Sequence, residues 1–308
     1  MILKGETELQ TEGSDYTSAL NIDAYLAQKE QSSFSLNGEI GREVNLKFEA
    51  SELPLAFSTE QYEINLRTEA DLSFSGNIAG TLLNPTLNLS HTLSSIEINN
   101  TALETVDGDI LLESQRRFSV SETISFREGG SLEIDGSYSF VEDDLSLSSN
   151  LQELPAAFIL SFFGDQISGD GQLNGNFRAE GSLEKPKLSG SLGLSGDLLE
   201  VGIWAPIENY RGEIELREGK ALVKELRGDF VDGSFQAGGQ LNLFDSDNFW
   251  DLNLSAEKLY FDYGSLKGDF DSSLSFSGPL MKPLLAGELD LYDFTVGIPF
   301  EWPAGDQE

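Results

Sequence analysis

Apolar residues recur at every second position through most of this chain, with serine, threonine, asparagine or a carboxylate between them. The alternation is clear at Phe34 and Leu36, at Val44, Leu46 and Phe48, at Ile64 and Leu66, and at Leu72, Phe74 and Ile78. It returns at Leu87, Leu89 and Leu93, at Ile124 and Phe126, and at Leu132, Ile134, Tyr138 and Phe140. Later stretches carry it at Leu241 and Leu243, Leu252 and Leu254, Leu259 and Phe261, and Leu274 and Phe276. A period of two predicts strands with one apolar and one polar face. Such strands belong to an antiparallel sheet wetted on one side, because a sheet buried on both faces reads as continuous apolar runs. Glu128-Gly129-Gly130 and Asp135-Gly136 read as turns. Two stretches break the pattern. Asp23-Ala24-Tyr25-Leu26-Ala27 fits one helical turn, and Ala156-Ala157-Phe158-Ile159-Leu160-Ser161-Phe162-Phe163, between Pro155 and Gly164, fits a short helix that is apolar nearly all round.

The strands are organised by a repeat of about 100 residues in three copies. One phrase marks it: Gly80-Thr81-Leu82-Leu83-Asn84-Pro85, Gly181-Ser182-Leu183-Glu184-Lys185-Pro186 and Gly278-Pro279-Leu280-Met281-Lys282-Pro283. Other anchors keep nearly the same spacing. A Gly-x-x-x-Leu opening recurs at Gly5, Gly108 and Gly212. A hairpin-like signal recurs from Ser33 to Gly38, Ser131 to Gly136 and Ser234 to Gly239. A strand phrase recurs from Leu46 to Leu53, Leu147 to Leu154 and Leu252 to Leu259, with Glu52, Glu153 or Lys258 before the last leucine. The units are residues 1–107, 108–211 and 212–308, and no Pro/Ser-rich spacer separates them. The reading is one continuous, edge-stacked, solenoid-like sheet. Roughly eight strands per unit, about 4.8 Å apart, would make it more than about 100 Å long. Because the first and last residues already sit at repeat anchors, a segment of a longer array is expected.

The apolar face of such a sheet needs a cover, and the helical residues are too few to provide one. A second sheet, closure into a barrel, or a curved trough holding a foreign apolar molecule are the alternatives. Twist and glycine-marked bends favour the trough. The expected fold is therefore all-β, an elongated repeat solenoid whose curved, mostly antiparallel sheet forms a groove with an apolar interior and few short helices. Its expected lining is Leu72, Phe74, Leu87, Leu89, Leu132, Ile134, Leu145, Leu147, Leu188, Leu192, Leu252, Leu254, Leu274, Phe276, Leu289 and Leu291. Phe158, Ile159, Leu160, Phe162 and Phe163 form a candidate groove plug or lid.

Composition narrows the chemistry. The 53 acidic residues against 19 basic ones give a formal charge of −34, which repels phosphate backbones, so nucleic acid is a poor partner. Cysteine is absent, which removes disulfides, thiolate catalysis and Cys-type zinc sites. His91 is the single histidine and lies in phase with Leu89 and Leu93, as a wall residue would. Carboxylates abound, but none stands apart from a solvated strand face, so no catalytic residue is assigned and no enzyme is expected. Asp245-Ser246-Asp247-Asn248 and Gly169-Asp170-Gly171 lack the spacing of known calcium loops and read as turns. No metal or cofactor is expected. No run reaches the roughly 20 apolar residues needed to cross a bilayer, and Met1-Ile2-Leu3-Lys4-Gly5-Glu6 lacks the regions of a signal peptide.

The Gly-x-Leu-x-x-Pro-x-Leu phrase and the strands after it, at Gly80 to Leu87, Gly181 to Leu188 and Gly278 to Leu285, resemble the β-repeat region of TamB-type translocation and assembly module proteins and their AsmA-like relatives. The resemblance covers essentially the whole chain. It implies a taco-shaped groove lined with aliphatic side chains, held in the periplasm from an inner-membrane anchor. It implies carriage of phospholipid acyl chains between inner and outer membranes, with an outer-membrane barrel partner of the Omp85 type meeting regions outside this segment. The competing expectation is a structural or adhesive β-stalk with a closed core and no lipid cargo.

Overall fold

The computed structural model describes residues 2–12, 15–25, 32–58, 67–98, 101–114, 116–163, 167–201, 206–263 and 266–297. The first repeat supplies β1 (Ile2–Glu12), β2 (Asp15–Tyr25), β3 (Ser33–Ile40), β4 (Glu43–Ser58), β5 (Arg67–Thr81) and β6 (Asn84–Ile98). The second supplies β7 (Thr101–Glu113), β8 (Arg117–Phe126), β9 (Ser131–Ser139), β10 (Asp144–Pro155), the helix α1 (Ala156–Leu160) with a 3-10 turn (Ser161–Phe163), β11 (Ile167–Gly169), β12 (Gln172–Gly181) and β13 (Lys187–Val201). The third supplies β14 (Ile207–Arg217), β15 (Lys220–Phe230), β16 (Gly233–Asn242), β17 (Trp250–Tyr263), β18 (Leu266–Gly278) and β19 (Leu284–Val296).

Successive strands pair antiparallel in one long, open sheet. β11 and β12 pair with opposite ends of β13 and together make one interrupted rung, so the sheet has eighteen rungs, six per repeat. At about 4.8 Å per rung it extends roughly 85 Å. The expected eight strands per unit is corrected by the glycines. Gly38, Gly136 and Gly239, read as hairpin signals, lie inside β3, β9 and β16. There Gly38 and Gly239 admit the neighbouring strand: a Cβ on Gly38 would stand 2.0 Å from the Asn45 carbonyl oxygen, and one on Gly239 would stand 2.3 Å from that of Asp251. Asp135-Gly136 is accordingly mid-strand, whereas the Glu128-Gly129-Gly130 turn is present. The expected helical turn at residues 23–27 is also corrected, since Asp23 to Tyr25 end β2; Leu26 and Ala27 lie outside the described residues. The unit boundaries at 107/108 and 211/212 fall within β7 and β14, whose hydrogen-bond ladders run through them.

Six rungs share a local device. Glu52, Ser95, Glu153, Asn209, Lys258 and Asp293 all have φ between 47° and 54°, the left-handed region. In each case the apolar residue two before and the one immediately after lie on the same face: Ala50 and Leu53, Leu93 and Ile96, Leu151 and Leu154, Ile207 and Tyr210, Ala256 and Leu259, Leu291 and Phe294. The extra residue is a β-bulge, which bends the strand and raises its twist. At the three equivalent bulges of the repeat, the amide is held by a side chain of the next rung. Glu52 donates to Ser73 Oγ at 3.0 Å, Glu153 to Asn174 Oδ1 at 2.8 Å and Lys258 to Asp271 Oδ1 at 2.7 Å. That bond offsets the cost of about 1–2 kcal/mol for placing a non-glycine residue in this region. The resulting curved sheet has its buried core at the middle rungs, where α1 packs Phe158 among Ala70, Ile96, Leu103, Phe126, Leu151 and Leu154.

The proline phrases all lie in turns along one long edge of the sheet. Gly80, Gly181 and Gly278 take φ of 113°, 94° and 93° there. A Cβ on Gly181 would meet nothing within 4 Å, so glycine is required by its dihedral and not by space. Gly181→Ala is expected to lower unfolding free energy by about 1–2 kcal/mol, while Gly193→Ala, whose Cβ would meet only the Asn174 carbonyl oxygen at 3.7 Å, should stay within about 0.5 kcal/mol of the parent. Asn174→Ala should cost about 1 kcal/mol by leaving the Glu153 amide unpartnered. Denaturant titration checks all three.

Candidate functional site: an uncovered apolar strip

The strand register decides which side chains share a face. One row of cross-strand neighbours runs Leu53, Leu72, Leu93, Val106, Ile124, Leu132, Leu151, Gly175, Leu192, Ile214, Val223, Gly239, Leu252, Phe276 and Leu285, from β4 to β19. Every member is apolar or glycine. At about 4.8 Å per rung the row is roughly 65–70 Å long. Parallel rows flank it, such as Leu46, Ile78, Leu87, Leu112, Phe118, Tyr138 and Leu145. All sixteen of the expected lining residues fall on this face, in register. Leu87, Leu89, Leu145, Leu147 and Leu188 lie in rows on one side of the long row; Leu254, Leu274, Leu289 and Leu291 lie on the other. Phe74 and Ile134 share the row that contains His91.

These side chains are half-buried where strands flank them on both sides and exposed at β19, where Leu289 is 58% exposed. The exposure follows from the single layer: each side chain is covered by its neighbours in the sheet, and among the described residues no other sheet packs on its tip. One depression of about 370 Å³ is lined by Phe48, Leu72, Phe74, Leu87, Leu89, His91 and Ile110. Phe74 anchors its floor, with Phe34 and Phe48 at ring distances of 6.4 and 5.9 Å. In the central repeat α1 fills part of the strip. Phe158 stacks edge-on against Phe126 at 5.1 Å, Phe162 against Phe158 at 5.3 Å, and Ile159 packs on the same cluster. Leu160 is half-buried and Phe162 largely exposed, while the side chain of Phe163 lies outside the described residues. The helix thus covers part of the apolar face at one end of the rungs. The third repeat has no such insert: β17 continues as strand through Leu259 to Tyr263.

The opposite face is a ladder of hydroxyls and carboxylates. Ser90 donates to Asp109 at 2.5 Å, Thr92 to Asp107 at 2.7 Å and Ser121 to Asp135 at 2.7 Å. The edge bearing the proline phrases is tied by Asp143, which accepts from Tyr138 at 2.9 Å and from Ser182 at 2.6 Å. The Ser182 bond, with the Tyr138 bond behind it, holds the Asp143 carboxyl below its usual range. The turns on this edge expose apolar tips, Leu83 at 86% and Met281 at 85%. The turns considered as calcium loops use their carboxylates internally: Asp245 Oδ1 accepts from the amides of Asp247 and Asn248, and Asp170 Oδ1 from those of Asp197 and Leu198. Among the described residues no cluster of His, Asp and Glu has the arrangement of a metal site, and no helix is long and apolar enough to cross a membrane.

His91 lies on the apolar face as expected, but its surroundings correct the expectation of a satisfied wall residue. Its Nε2 stands 3.2 Å from Glu122 Oε2 across Gly108, and its Nδ1 is buried without a partner. The side chains are 12% and 17% exposed. Ser149, two rungs beyond Glu122, is also buried with its hydroxyl unpartnered. Glu122 was not legible as a groove residue because carboxylates normally fall on the polar face. Its position in phase with Val120 and Ile124 was the available signal. No family model, curated protein or solved structure matches the chain.

Burial raises the Glu122 carboxyl above its ordinary value of 4.5, and the nearby histidine opposes this only in part. A raised folded-state value means that Glu122 favours the folded state most below pH about 4.5 and that this contribution is lost as pH rises through the folded value. Glu122→Gln should therefore be more stable than the parent at pH 7, and the difference should shrink as pH falls toward 4.5. Chemical denaturation at several pH values checks this.

Proposed function

We propose that this chain is a length of a bridge-like phospholipid carrier, in which acyl chains lie along the apolar strip and headgroups stay in water at its open side. The observation that carries the proposal is the row of apolar residues and glycines from Leu53 to Leu285, over which the described residues place no second sheet and only α1 at the middle rungs. Each methylene moved from water onto such a surface contributes about 0.8 kcal/mol. An acyl chain therefore supplies the cover that the sheet lacks. The resemblance of the Gly-x-Leu-x-x-Pro-x-Leu phrases to TamB-type and AsmA-like repeats points the same way. On that reading the chain acts in the periplasm, between an inner-membrane anchor and an outer-membrane barrel, in support of outer-membrane biogenesis. The exposed tips such as Leu83 and Met281 line the lip over which a tail would slide. A stalk with a closed core fits less well, because a closed core would bury Leu72, Leu132 and Leu252, all of which remain partly exposed.

Mass spectrometry of an organic extract of the purified chain should yield phospholipid in stoichiometric amount; an empty extract would count for the stalk. Leu274→Asp, on the apolar face, should lower bound lipid several-fold. Ser275→Asp, on the opposite face with its hydroxyl on the Ala286 carbonyl, should leave it nearly unchanged. Equal losses would refute the assignment of faces.

A further inference from the structure

The hairpin between the third and fourth rungs is closed differently in the three repeats. Gly41-Arg42 suffices between β3 and β4, and Phe140 to Asp143 between β9 and β10, whereas β16 and β17 are joined by Leu243 to Phe249. Because shorter turns close the equivalent strands, the fold does not require the longer one. The long turn is nevertheless tightly built. Asp245 Oδ1 accepts from the amides of Asp247 and Asn248, Asn242 Nδ2 donates to the Asn248 carbonyl, and the Leu243 amide donates to the Gly219 carbonyl at 2.9 Å. It is also tied to the neighbouring proline phrase. The Leu280 amide donates to the Ser246 carbonyl at 2.9 Å, and Trp250 Nε1 donates to the Leu280 carbonyl at 3.1 Å. The Phe244 ring rests on Gly219, where a Cβ would stand 2.8 Å from it, and Phe249 meets Trp250 edge-on at 5.0 Å.

The two turns together hold apolar side chains outward at one corner of the sheet. Phe244 is 45% exposed, Leu280 42% and Met281 85%, with Phe249 and Trp250 half-buried behind them. The single donor of Trp250 is satisfied within the corner, so its ring can leave water without an unpaired N–H. Lys220 and Lys282 flank the apolar side chains, and among the described residues neither has a carboxylate partner; Lys220 Nζ donates to Gln240 Oε1 at 3.2 Å. Of the nearby carboxylates, Asp245 accepts within its turn and Asp251 accepts from Gln240 at 2.7 Å, which leaves that of Asp247 exposed and uncommitted.

We propose that this corner docks on the surface of a zwitterionic phospholipid bilayer. Aromatic side chains with lysines at their rim settle at a membrane interface, rings at the acyl boundary and ammonium groups among the phosphates. Lys220 and Lys282 meet the phosphate of the headgroup, and Asp247 meets its amine. A wholly anionic surface is opposed by the formal charge of −34. This inference does not depend on what the strip carries.

Flotation of the full chain with phosphatidylcholine vesicles tests it. The parent should float with the vesicles, and Phe244→Ser with Met281→Ser should weaken partitioning about tenfold. Phe140→Ser with Val141→Ser, a comparably exposed pair in the equivalent turn of the second repeat, should leave partitioning unchanged. Vesicles in which phosphatidylglycerol replaces part of the phosphatidylcholine should bind more weakly at low salt. In a variant with Trp204→Phe and Trp302→Phe, Trp250 is the one remaining tryptophan, and its emission should shift to the blue when vesicles are added. No flotation of the parent, equal losses from the two pairs, tighter binding to the anionic vesicles, or an unshifted Trp250 emission would overturn the proposal.

Discussion

A sheet with only one layer depends on keeping every apolar side chain on the same side of the backbone. Alternation has a period of two, so one uncompensated extra residue would turn the remainder of a strand inside out. This chain carries such extra residues in many rungs and still preserves the face. At Glu52, Glu153 and Lys258 the bulge residue adopts a left-handed conformation, and the next apolar residue returns to the groove. The amide freed at each bulge is caught by Ser73, Asn174 or Asp271 on the following rung. A local backbone cost is thereby exchanged for a bend at a fixed level of the sheet. Repeated along the sheet, that bend curves the ribbon without breaking its hydrogen-bond ladder.

From the one-sided face follow both the charge and the location of the core. Among the described residues no second layer packs on the polar face, and it carries hydroxyl–carboxylate pairs such as Ser121 with Asp135. The chain's formal charge is −34, and like charge on that face opposes its stacking on another copy. Among the described residues the largest fully buried apolar side chains, Ile96, Leu103 and Leu154, gather where bulged strand ends and α1 approach each other. Backbone pairing along the ladder, with side-chain contacts between adjacent rungs, therefore holds the remaining rungs together. That is the nearest-neighbour economy of repeat architectures.

The face assignment was legible in the sequence because alternation survives the bulges: Leu72, Leu132 and Leu252, read as facing the same side, stand on one face and in one row. The short helix after Pro155 was legible for a similar reason, resting on local signals of turn and periodicity. The rung count was not. Gly38, Gly136 and Gly239 look like hairpin punctuation, but Gly38 and Gly239 let a neighbouring backbone approach and Gly136 makes room for the Leu147 side chain, a tertiary requirement that no local pattern carries. The strand-end extension beyond the Glu52 bulge was equally hidden, because the three-residue step from Ala50 to Leu53 interrupts the period, whereas Leu259 and Phe261 beyond Lys258 read as alternating. Glu122 was missed through a rule that is sound for most carboxylates: it sits inward because His91 and the absent side chain of Gly108 make room for it.

The polar trio of His91, Glu122 and Ser149 lies in the same cross-strand row, with Gly108 and Ile134 between its members. Its atoms are buried and incompletely partnered, an arrangement that costs stability in an apolar wall. The long row from Leu53 to Leu285 runs immediately beside it without a polar member. The cost is therefore confined to one side of the strip, and the helix α1 occupies the other side at the same rungs. On the carrier reading, these two features narrow the passage at the central repeat and leave the flanking repeats wider. The row itself shares in that narrowing, because its member Leu151 is buried in the same cluster as Phe158, and Ile124, Leu132 and Leu192 pack against that cluster.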